Sequence, residues 1–318
     1  MTFEKIRELL SSETVELFDD IKYSRVLGAS KHIEMIFKMM KDIVVNRFEN
    51  DRMLSDISLL VEYFIETRGS QSRAVYNVLT TFKESISKLD HNNNEALKLI
   101  INNQIDYQIG KITKDIEKIV MYASNLCEGD QSIMVFDYSS TVERFIMELN
   151  PKISVYIAES RALDGGRPFL KASIESKHHT VFFPDTMMME NLKKCQKVFI
   201  GAESFYTNGE VINTIGSDIL ALLCKELNKP LYVLTPMNKL DDRNKYGYYR
   251  NSKMEYDYSV KIAKDWDIKL IEAIDFNGIK LIGVAPEYLT GIVTEFGIIP
   301  PHAMYLKSEQ YLEGKKND

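Results

Sequence analysis

The hydrophobic positions follow two different patterns, one before and one after about residue 128. In the first part, apolar residues recur at spacings of three and four, as in Ile33, Ile36, Phe37, Met40 and Ile43. This spacing places them on one face of a helix, and no proline interrupts it. Residues 1–128 are therefore predicted to form a helical N-terminal domain whose apolar stripes are its core, with a polar inter-helix loop at residues 90–94.

Beyond this point, short apolar runs alternate with helical stretches, and all eight prolines lie here. The predicted strands are 133–136, 153–158, 180–183, 198–200 and 231–234. The predicted helices between them are 141–149, 167–176, 187–195 and 217–228. Strands that alternate with helices are typical of a parallel sheet. The sequence thus predicts an α/β fold, with a doubly wound parallel sheet domain over residues 129–318.

The stretch at residues 197–236 is the clearest β-α-β unit in the chain. A strand ends at Gly201, polar turns follow around Asn208-Gly209 and at residues 213–217, and a helix then leads to a second strand. In open parallel sheets, ligands bind beyond the carboxyl ends of the strands. The loops of this unit are therefore where a functional site is expected.

Polar residues follow several of the predicted strands. Asp137-Tyr138-Ser139-Ser140 comes after the first, Glu159-Ser160-Arg161 after the second, and Glu203 after the fourth. If the sheet is doubly wound, these residues converge at the edge of the sheet where the strands have their carboxyl ends, which we call the rim. Asp137 and Glu203 then form either an acid–base pair or a pair that binds sugar hydroxyls or caps helices.

Two further features of the rim allow an anion site, and each has an ordinary alternative. Ser139, Ser140 and Ser217 lie at predicted helix starts, where hydroxyl and backbone N–H groups either hold a phosphate or simply cap the helix. Arg161 and Arg167 flank a glycine pair and either close over an anion or lie on a solvated turn. No Walker loop, GxGxxG fingerprint or HExxH motif occurs in the chain.

Composition narrows the class of protein. The formal net charge of -6 makes nucleic acid an unlikely partner. The three cysteines, Cys127, Cys195 and Cys224, are far apart and lack metal-ligand spacing, which is typical of reduced thiols. No signal peptide opens the chain, and no apolar run reaches the roughly 18 residues of a membrane span. The expectation is a cytoplasmic protein without a metal, a cofactor or a membrane partner.

Several segments resemble the signature of one superfamily. They are Gly201-Ala202-Glu203, Asn208-Gly209, residues 212–217, 136–139, 155–161 and 285–300 and, more distantly, Gly28-Ala29-Ser30. The superfamily contains the alpha, beta and delta subunits of eukaryotic translation initiation factor 2B. It also contains the ribose-1,5-bisphosphate and methylthioribose-1-phosphate isomerases. The resemblance implies a helical domain followed by a Rossmann-like domain, in agreement with the hydrophobic pattern.

The resemblance also implies which residues serve the site. Asp137 and Glu203 match the positions that carry the proton transfers in the isomerases. The implied ligand-binding residues are Gly28, Ala29, Ser30, Tyr138, Ser139, Ser140, Arg161, Asn208, Asn213, Gly216 and Ser217. The isomerases, however, have cysteine at the position of Asp137, aspartate at that of Glu203 and lysine at that of Thr214. At the position of Glu203, the alpha-type subunits also carry glutamate, so in this respect the chain resembles them.

These differences favour a regulatory protein, resembling initiation factor 2B, that binds a phosphorylated sugar or nucleotide between its two domains. The alternative is a divergent aldose–ketose isomerase in which Asp137 and Glu203 move the proton between sugar carbons. The resemblance further implies a homodimer formed through the C-terminal domain, or a subunit of a larger assembly. The tyrosine-rich stretch at residues 246–258 is either part of an interface or an ordinary loop.

Overall fold

The computed structural model describes residues 3–23, 25–26, 28–47, 50–87, 94–249 and 255–317. Residues 90–93 of the predicted inter-helix loop, and residues 250–254 of the tyrosine-rich stretch, lie outside the described residues. The chain forms two compact units, Met1–Asp115 and Ile116–Asp318. Within the described part of the chain, no helix is both long enough and apolar enough to cross a membrane.

The N-terminal unit is helical, as the apolar spacing predicts. Its helices are α1 (Phe3–Arg7), α2 (Ser12–Lys22), α3 (Ala29–Asn46), α4 (Asn50–Glu66), α5 (Arg68–Gln71), α6 (Arg73–Ser87) and the start of α7 (Asn94–Leu126), which continues into the second unit. The stripe from Ile33 to Ile43 on α3 is buried in the unit's core, where it packs with apolar residues of α4 and α6.

The second unit combines strands and helices. Its strands are β1 (Ser132–Phe136), β2 (Ser154–Ala158), β3 (His179–Phe183), β4 (Lys197–Ile200), β5 (Ser204–Tyr206), β6 (Val211–Thr214), β7 (Leu231–Leu234), β8 (Leu240–Asp241), β9 (Glu255–Asp257), β10 (Asn277–Ile279), β11 (Leu281–Val284), β12 (Gly291–Thr294) and β13 (Gly297–Ile299). Its helices after α7 are α8 (Ser140–Glu148), α9 (Pro168–Glu175), α10 (Met188–Leu192), α11 (Ser217–Glu226), α12 (Ser259–Ile262), α13 (Ile268–Glu272) and α14 (Met304–Asn317).

Seven strands form the central sheet, in the order β13-β12-β7-β4-β1-β2-β3. All neighbouring pairs are parallel except β12 and β13. The chain passes from β1 to β2 and β3 on one side, and then returns to place β4 on the other side of β1. This reversal is the switch point at which open parallel sheets bind ligands. The predicted doubly wound sheet is confirmed, and each of the five predicted strands agrees with the structure to within one residue at either end.

A second sheet of four strands, in the order β11-β6-β5-β8, lies beyond the end of β4. Asn208-Gly209 forms the turn between β5 and β6, as predicted. The second predicted polar turn, at residues 213–217, is wrong at its start. Asn213 and Thr214 are buried in β6, because a side-chain hydrogen bond is available to each: Asn213 to Ser217, and Thr214 to Asp137.

Candidate functional site

The candidate site begins at the carboxyl ends of β1 and β4. Phe136 and Ile200, the last residues of these strands, are paired in register. Asp137 and Gly201 therefore leave the sheet at the same level, on either side of the switch point. Glu203 follows two residues after Gly201, and its backbone N–H donates to the carbonyl of Ile212, 2.9 Å away, at the edge of β6.

Asp137 is buried and joins the segment after β1 to the loop after β2 and to the end of β6. Its Oδ2 accepts a hydrogen bond of 2.6 Å from the Thr214 hydroxyl, and its Oδ1 accepts one of 3.1 Å from the Ser160 hydroxyl. The backbone N–H of Tyr138 is a further donor. These donors lie after β1, after β2 and at the end of β6. One carboxylate thus holds together the segments that form the rim.

Burial also changes the acidity of Asp137. Removal from water raises the pKa of this carboxyl from 3.8 to about 6, and the negative charge of Glu203 adds to the increase. The hydrogen bonds from Thr214, Ser160 and Tyr138 stabilise the ionised form and oppose the shift. Asp137 therefore changes protonation state close to neutral pH, which is a property of many functional carboxyl groups.

The rim is packed too closely for side chains at two of its glycines. A Cβ atom on Gly165 would lie 2.1 Å from Oδ1 of Asp137, and one on Gly201 would lie 2.4 Å from Cβ of Ser139. From the sequence, the glycine pair at 165–166 is a flexible segment that could close over an anion. In the structure, Gly165 instead packs closely against the buried carboxylate of Asp137. Only residues without a side chain allow these loops to meet.

Three non-glycine residues of the same rim have left-handed backbone conformations, with φ of 56° at Asp137, 49° at Ser160 and 55° at Asp164. Such conformations cost of order 1–3 kcal/mol each and persist where surrounding contacts enforce them. Here the carboxylate of Asp185 supplies part of that enforcement. It accepts the backbone N–H groups of Ser160 at 2.9 Å and Arg161 at 2.8 Å.

Glu203 differs from Asp137 in its hydrogen bonding. The Oε1 atom of Glu203 is buried and has no hydrogen-bond partner among the described residues. A buried carboxylate oxygen without a donor is costly, and such groups usually have a partner in the functional state of a protein. Glu203 therefore leaves an unsatisfied acceptor at this rim, whereas both oxygens of Asp137 are satisfied.

Lys239 is a site residue that the sequence did not indicate. It is buried, and its Nζ donates a 2.6 Å hydrogen bond to the carbonyl of Ala202, directly before Glu203. The segment that carries it, Met237–Lys239, follows β7, and Glu295 after β12 accepts the backbone N–H of Met237 at 3.0 Å. The strand-end rule applies to β7 as well, but nothing in the sequence indicates that this lysine is buried.

The other predicted site residues of the second unit lie in different surroundings. Tyr138 donates from its hydroxyl to Glu143 at 2.8 Å. Arg161 is exposed, and its Nη2 donates to the carbonyl of Lys261 at 3.4 Å. Asn208 is exposed at the hairpin turn, where its Oδ1 accepts the backbone N–H of Glu210 at 3.0 Å.

Neither Ser140 nor Ser217 is the helix cap that the sequence allows as one alternative. Ser139 is the N-cap of α8, and its hydroxyl accepts the N–H of Val142 at 3.5 Å, so Ser140 is the first helical residue. Gly216 is the N-cap of α11, and Ser217 is buried with its hydroxyl against the Asn213 amide, 3.0 Å away. Both helices start one residue earlier than a serine cap at 140 or 217 requires, yet both still begin at the rim.

Gly28, Ala29 and Ser30 belong to the N-terminal unit, at the start of α3, with φ of 100° at Gly28. Their part in the site remains a prediction. The cysteines Cys127, Cys195 and Cys224 are buried in the core, and burial raises the pKa of each thiol to about 12. Thiols of this kind are not nucleophiles at neutral pH. In the described residues, no group of three or more His, Cys, Asp or Glu side chains is arranged to hold a metal ion.

Known proteins with similar sequences include sugar-phosphate isomerases. The ribose 1,5-bisphosphate isomerase of Thermococcus kodakarensis is 27% identical over 66% of this chain and 66% of its own length. The ribose 1,5-bisphosphate isomerase of Pyrococcus furiosus is 23% identical over 93% of each chain. The delta subunit of the translation initiation factor eIF2B of Dictyostelium discoideum is also similar, at 23% identity over 79% of this chain and 42% of its own.

Solved structures confirm the fold. The translation initiation factor eIF-2B of Pyrococcus horikoshii OT3 superposes with a TM-score of 0.71 and 19% identity, over 92% of this chain and 98% of that one. The 5-methylthioribose 1-phosphate isomerase of the same organism superposes with a TM-score of 0.75 and 17% identity, over 96% and 92%.

The model of one protein family matches residues 28–301, which include the rim, the seven-stranded sheet and the four-stranded sheet. The match begins at Gly28, where the predicted N-terminal element starts, and ends after β13. The chain therefore belongs to the initiation factor 2 subunit family.

Proposed function

We propose that this chain is a regulatory protein that binds a phosphorylated sugar or nucleotide at the carboxyl ends of β1 and β4, and that it does so as a homodimer formed through its C-terminal unit. The observation that carries the proposal is the contrast between the two rim carboxylates. Asp137 is fully engaged by the protein, whereas the buried Oε1 of Glu203 has no partner among the described residues.

Glu203 suits the hydroxyl groups of a sugar. A carboxylate oxygen only accepts hydrogen bonds, so its missing partner is a donor. Sugar and ribose hydroxyls are donors, and a charged acceptor makes such a bond stronger than a neutral one. The unsatisfied oxygen therefore supports a polyol ligand at this point of the rim.

The phosphate of the ligand is expected near Lys239 and the N-termini of α8 and α11, which provide positive potential at the rim. Lys239 is a buried cation within hydrogen-bond distance of Ala202, next to Glu203. Helices α8 and α11 both begin at the rim, and the N-termini of helices favour anions through their free N–H groups and dipoles. Lys239 is therefore our candidate for the positive charge that the resemblance implies at the position of Thr214.

Asp137 supports binding without turnover. A general base must reach the proton that it removes. Asp137 is only 7% exposed, both of its carboxylate oxygens accept hydrogen bonds from hydroxyl groups of the protein, and Gly165 packs closely against Oδ1. In this environment the carboxylate has a structural role: it holds the segments of Ser160 and Thr214 together as one wall of the ligand site.

One observation favours the isomerase alternative. The pKa of Asp137, raised to about 6, is in the range that suits proton transfer at neutral pH. In this version Asp137 and Glu203 would carry the proton between adjacent sugar carbons, one as base and the other as acid. The full-length similarity to the Pyrococcus furiosus enzyme is consistent with that chemistry.

One pair of measurements separates the two functions. Thermal shift with ribose 1,5-bisphosphate, methylthioribose-1-phosphate and AMP as probes should reveal a ligand, since saturation at 100 times the Kd adds about 2.7 kcal/mol of stability. NMR of the same mixtures should then show no isomerisation of either sugar phosphate. Product formation by the purified wild type would overturn the regulatory proposal in favour of the isomerase.

Glu203→Gln is expected to weaken ligand binding by about 1.5–3 kcal/mol, the range of a hydrogen bond to a charged group. The substitution keeps the shape of the side chain and removes its charge, so folding should be nearly unchanged. Glu203→Asp keeps the charge and should lose less affinity. Calorimetric titration of the three proteins with the probe identified by thermal shift tests this, and equal affinities would remove Glu203 from the site.

A further inference from the structure

Residues 256–280 form a small subdomain of the second unit, and we name this segment the strap. It contains α12 and α13 between β9 and β10, which pair antiparallel. The ribbon is closed by a 3.1 Å hydrogen bond from the N–H of Tyr258 to the carbonyl of Phe276, and the Tyr258 hydroxyl donates to Ile279 at 2.8 Å. The ring of Trp266 packs edge-on against that of Phe276, at 6.0 Å between centroids.

The base of the strap is fixed beside one of the groups that hold Asp137. The strap continues directly into β11, which pairs with β6 so that Leu281 lies opposite Thr214. The carbonyl of Lys280 accepts the N–H of Ile215 at 3.1 Å. Thr214 is the residue whose hydroxyl donates to Asp137, so this end of the strap is part of the rim.

The other end of the strap contacts the loop at residues 160–166, which supplies the second hydroxyl to Asp137. The carbonyl of Lys261 accepts Nη2 of Arg161, and the ammonium of Lys261 forms an ion pair with Asp164. Asp164 precedes Gly165, the residue that closes over Oδ1 of Asp137. The strap therefore connects the end of β6 with the loop at 160–166, and both of these segments contact the carboxylate of Asp137.

This second attachment is weak in comparison with the first. The side chains of Lys261 and Asp164 are 25% and 46% exposed, and ion pairs that water reaches are easily broken. Helices α12 and α13 bury none of their own residues, and Val260 and Ile268 are 67% and 69% exposed. Ala263, directly after α12, is the buried residue at this end of the strap. Segments with so few buried contacts open locally at low cost.

We propose that the strap is a latch, which holds the loop at 160–166 closed over Asp137 through the pair of Lys261 and Asp164 and releases it when that pair opens. In the context of the proposed function, which this inference takes as its setting, opening would expose the wall of the ligand site. The fixed base at β11 keeps the strap in place while its far end moves.

Amide hydrogen exchange on the full chain tests the latch without any ligand. Lys261→Met keeps the apolar stem and removes the charge, and it should increase the exchange of the Gly165 and Gly166 amides several-fold. These amides are suitable reporters because both donate hydrogen bonds, to Ser160 and Glu159. Asp164→Asn removes the other partner and should have the same effect. Lys269→Met, on the exposed α13, is the matched control and should leave the exchange of both amides unchanged.

Two results would overturn the latch. In one, Lys261→Met and Lys269→Met give the same exchange at Gly165 and Gly166. In the other, exchange increases equally in the central strands β1 and β4, which would make the ion pair a support of the whole unit. Because no ligand is present, failure here leaves the proposed function standing, and failure of the probes to bind leaves the latch standing.

Discussion

Asp137→Asn is expected to make the protein more stable than the wild type at pH 8, by up to about 3 kcal/mol, and this advantage should shrink by about 2 kcal/mol between pH 8 and pH 4. The asparagine keeps the shape of the side chain but has one acceptor oxygen in place of two. One of the Thr214 and Ser160 hydroxyls must therefore turn and accept a hydrogen bond from the amide. The asparagine lacks the buried negative charge that the wild type carries at pH 8.

The direction follows from the pKa of Asp137, which is about 6 in the folded protein and 3.8 when the carboxyl is exposed to water. A carboxyl whose pKa is raised by folding binds its proton more tightly in the folded state. Its contribution to stability is fully present below pH 3.8 and is lost as the pH rises through 6. The wild type thus gains on the variant as the pH falls.

Urea denaturation of both proteins at intervals from pH 8 to pH 4 measures this difference. Asp265→Asn is a suitable control, since Asp265 is exposed and touches neither Asp137 nor the loop at 160–166. It should show little change in the stability difference over the same range. A difference between Asp137→Asn and the wild type that stays constant with pH would show that burial of the charge is not the dominant effect at Asp137.

Gly165→Ala is expected to destabilise the protein by about 2–3 kcal/mol and to abolish ligand binding. The new methyl group would lie 2.1 Å from Oδ1 of Asp137 and 2.9 Å from the backbone N of Tyr138. Neither neighbour can move easily, because Asp137 is held by two hydroxyl groups and Tyr138 N is main chain. The rim has to open to accommodate a single carbon.

Gly110→Ala is the matched control for this change. Gly110 lies within α7, and a Cβ atom there would meet nothing within 4 Å. Alanine is favoured over glycine in a helix, so this variant should gain about 0.5–1 kcal/mol. Chemical denaturation of the two variants gives the comparison. If Gly165→Ala were as stable as Gly110→Ala, the close packing described at the rim would be wrong.

The elements that were predicted well are those whose burial is visible in the sequence. The strand at 231–234 is a short apolar run between a proline and a polar segment, and its bounds are those observed. The second sheet was missed because β5 and β6 are three and four residues long and β6 ends in Asn213 and Thr214. Polar residues in a strand indicate a turn unless their partners are known, and those partners are distant in the sequence.

The same limit applies to the site. Asp137 and Glu203 were selected because each follows an apolar strand, and the order of the strands then determines that they are neighbours. The contact of Thr214 with Asp137 joins residues 77 positions apart, and the burial of Lys239 depends on the path of the chain after β7. Neither has a local pattern. Sequence reasoning therefore located the rim, but not the hydrogen bonds that distinguish its two carboxylates.

The hydrogen bonds of Asp137 also bear on how members of this family can be converted into one another. The resemblance found in the sequence implies cysteine at this position in the isomerases, yet Asp137→Cys alone would leave the hydroxyls of Thr214 and Ser160 without their charged acceptor. Two buried donors would lose their partner through one change, which is more costly than replacing donors and acceptor together. These three positions are therefore epistatic: a route from this chain to a cysteine-bearing site must alter them as a set, and single substitutions along it should be less stable than either end.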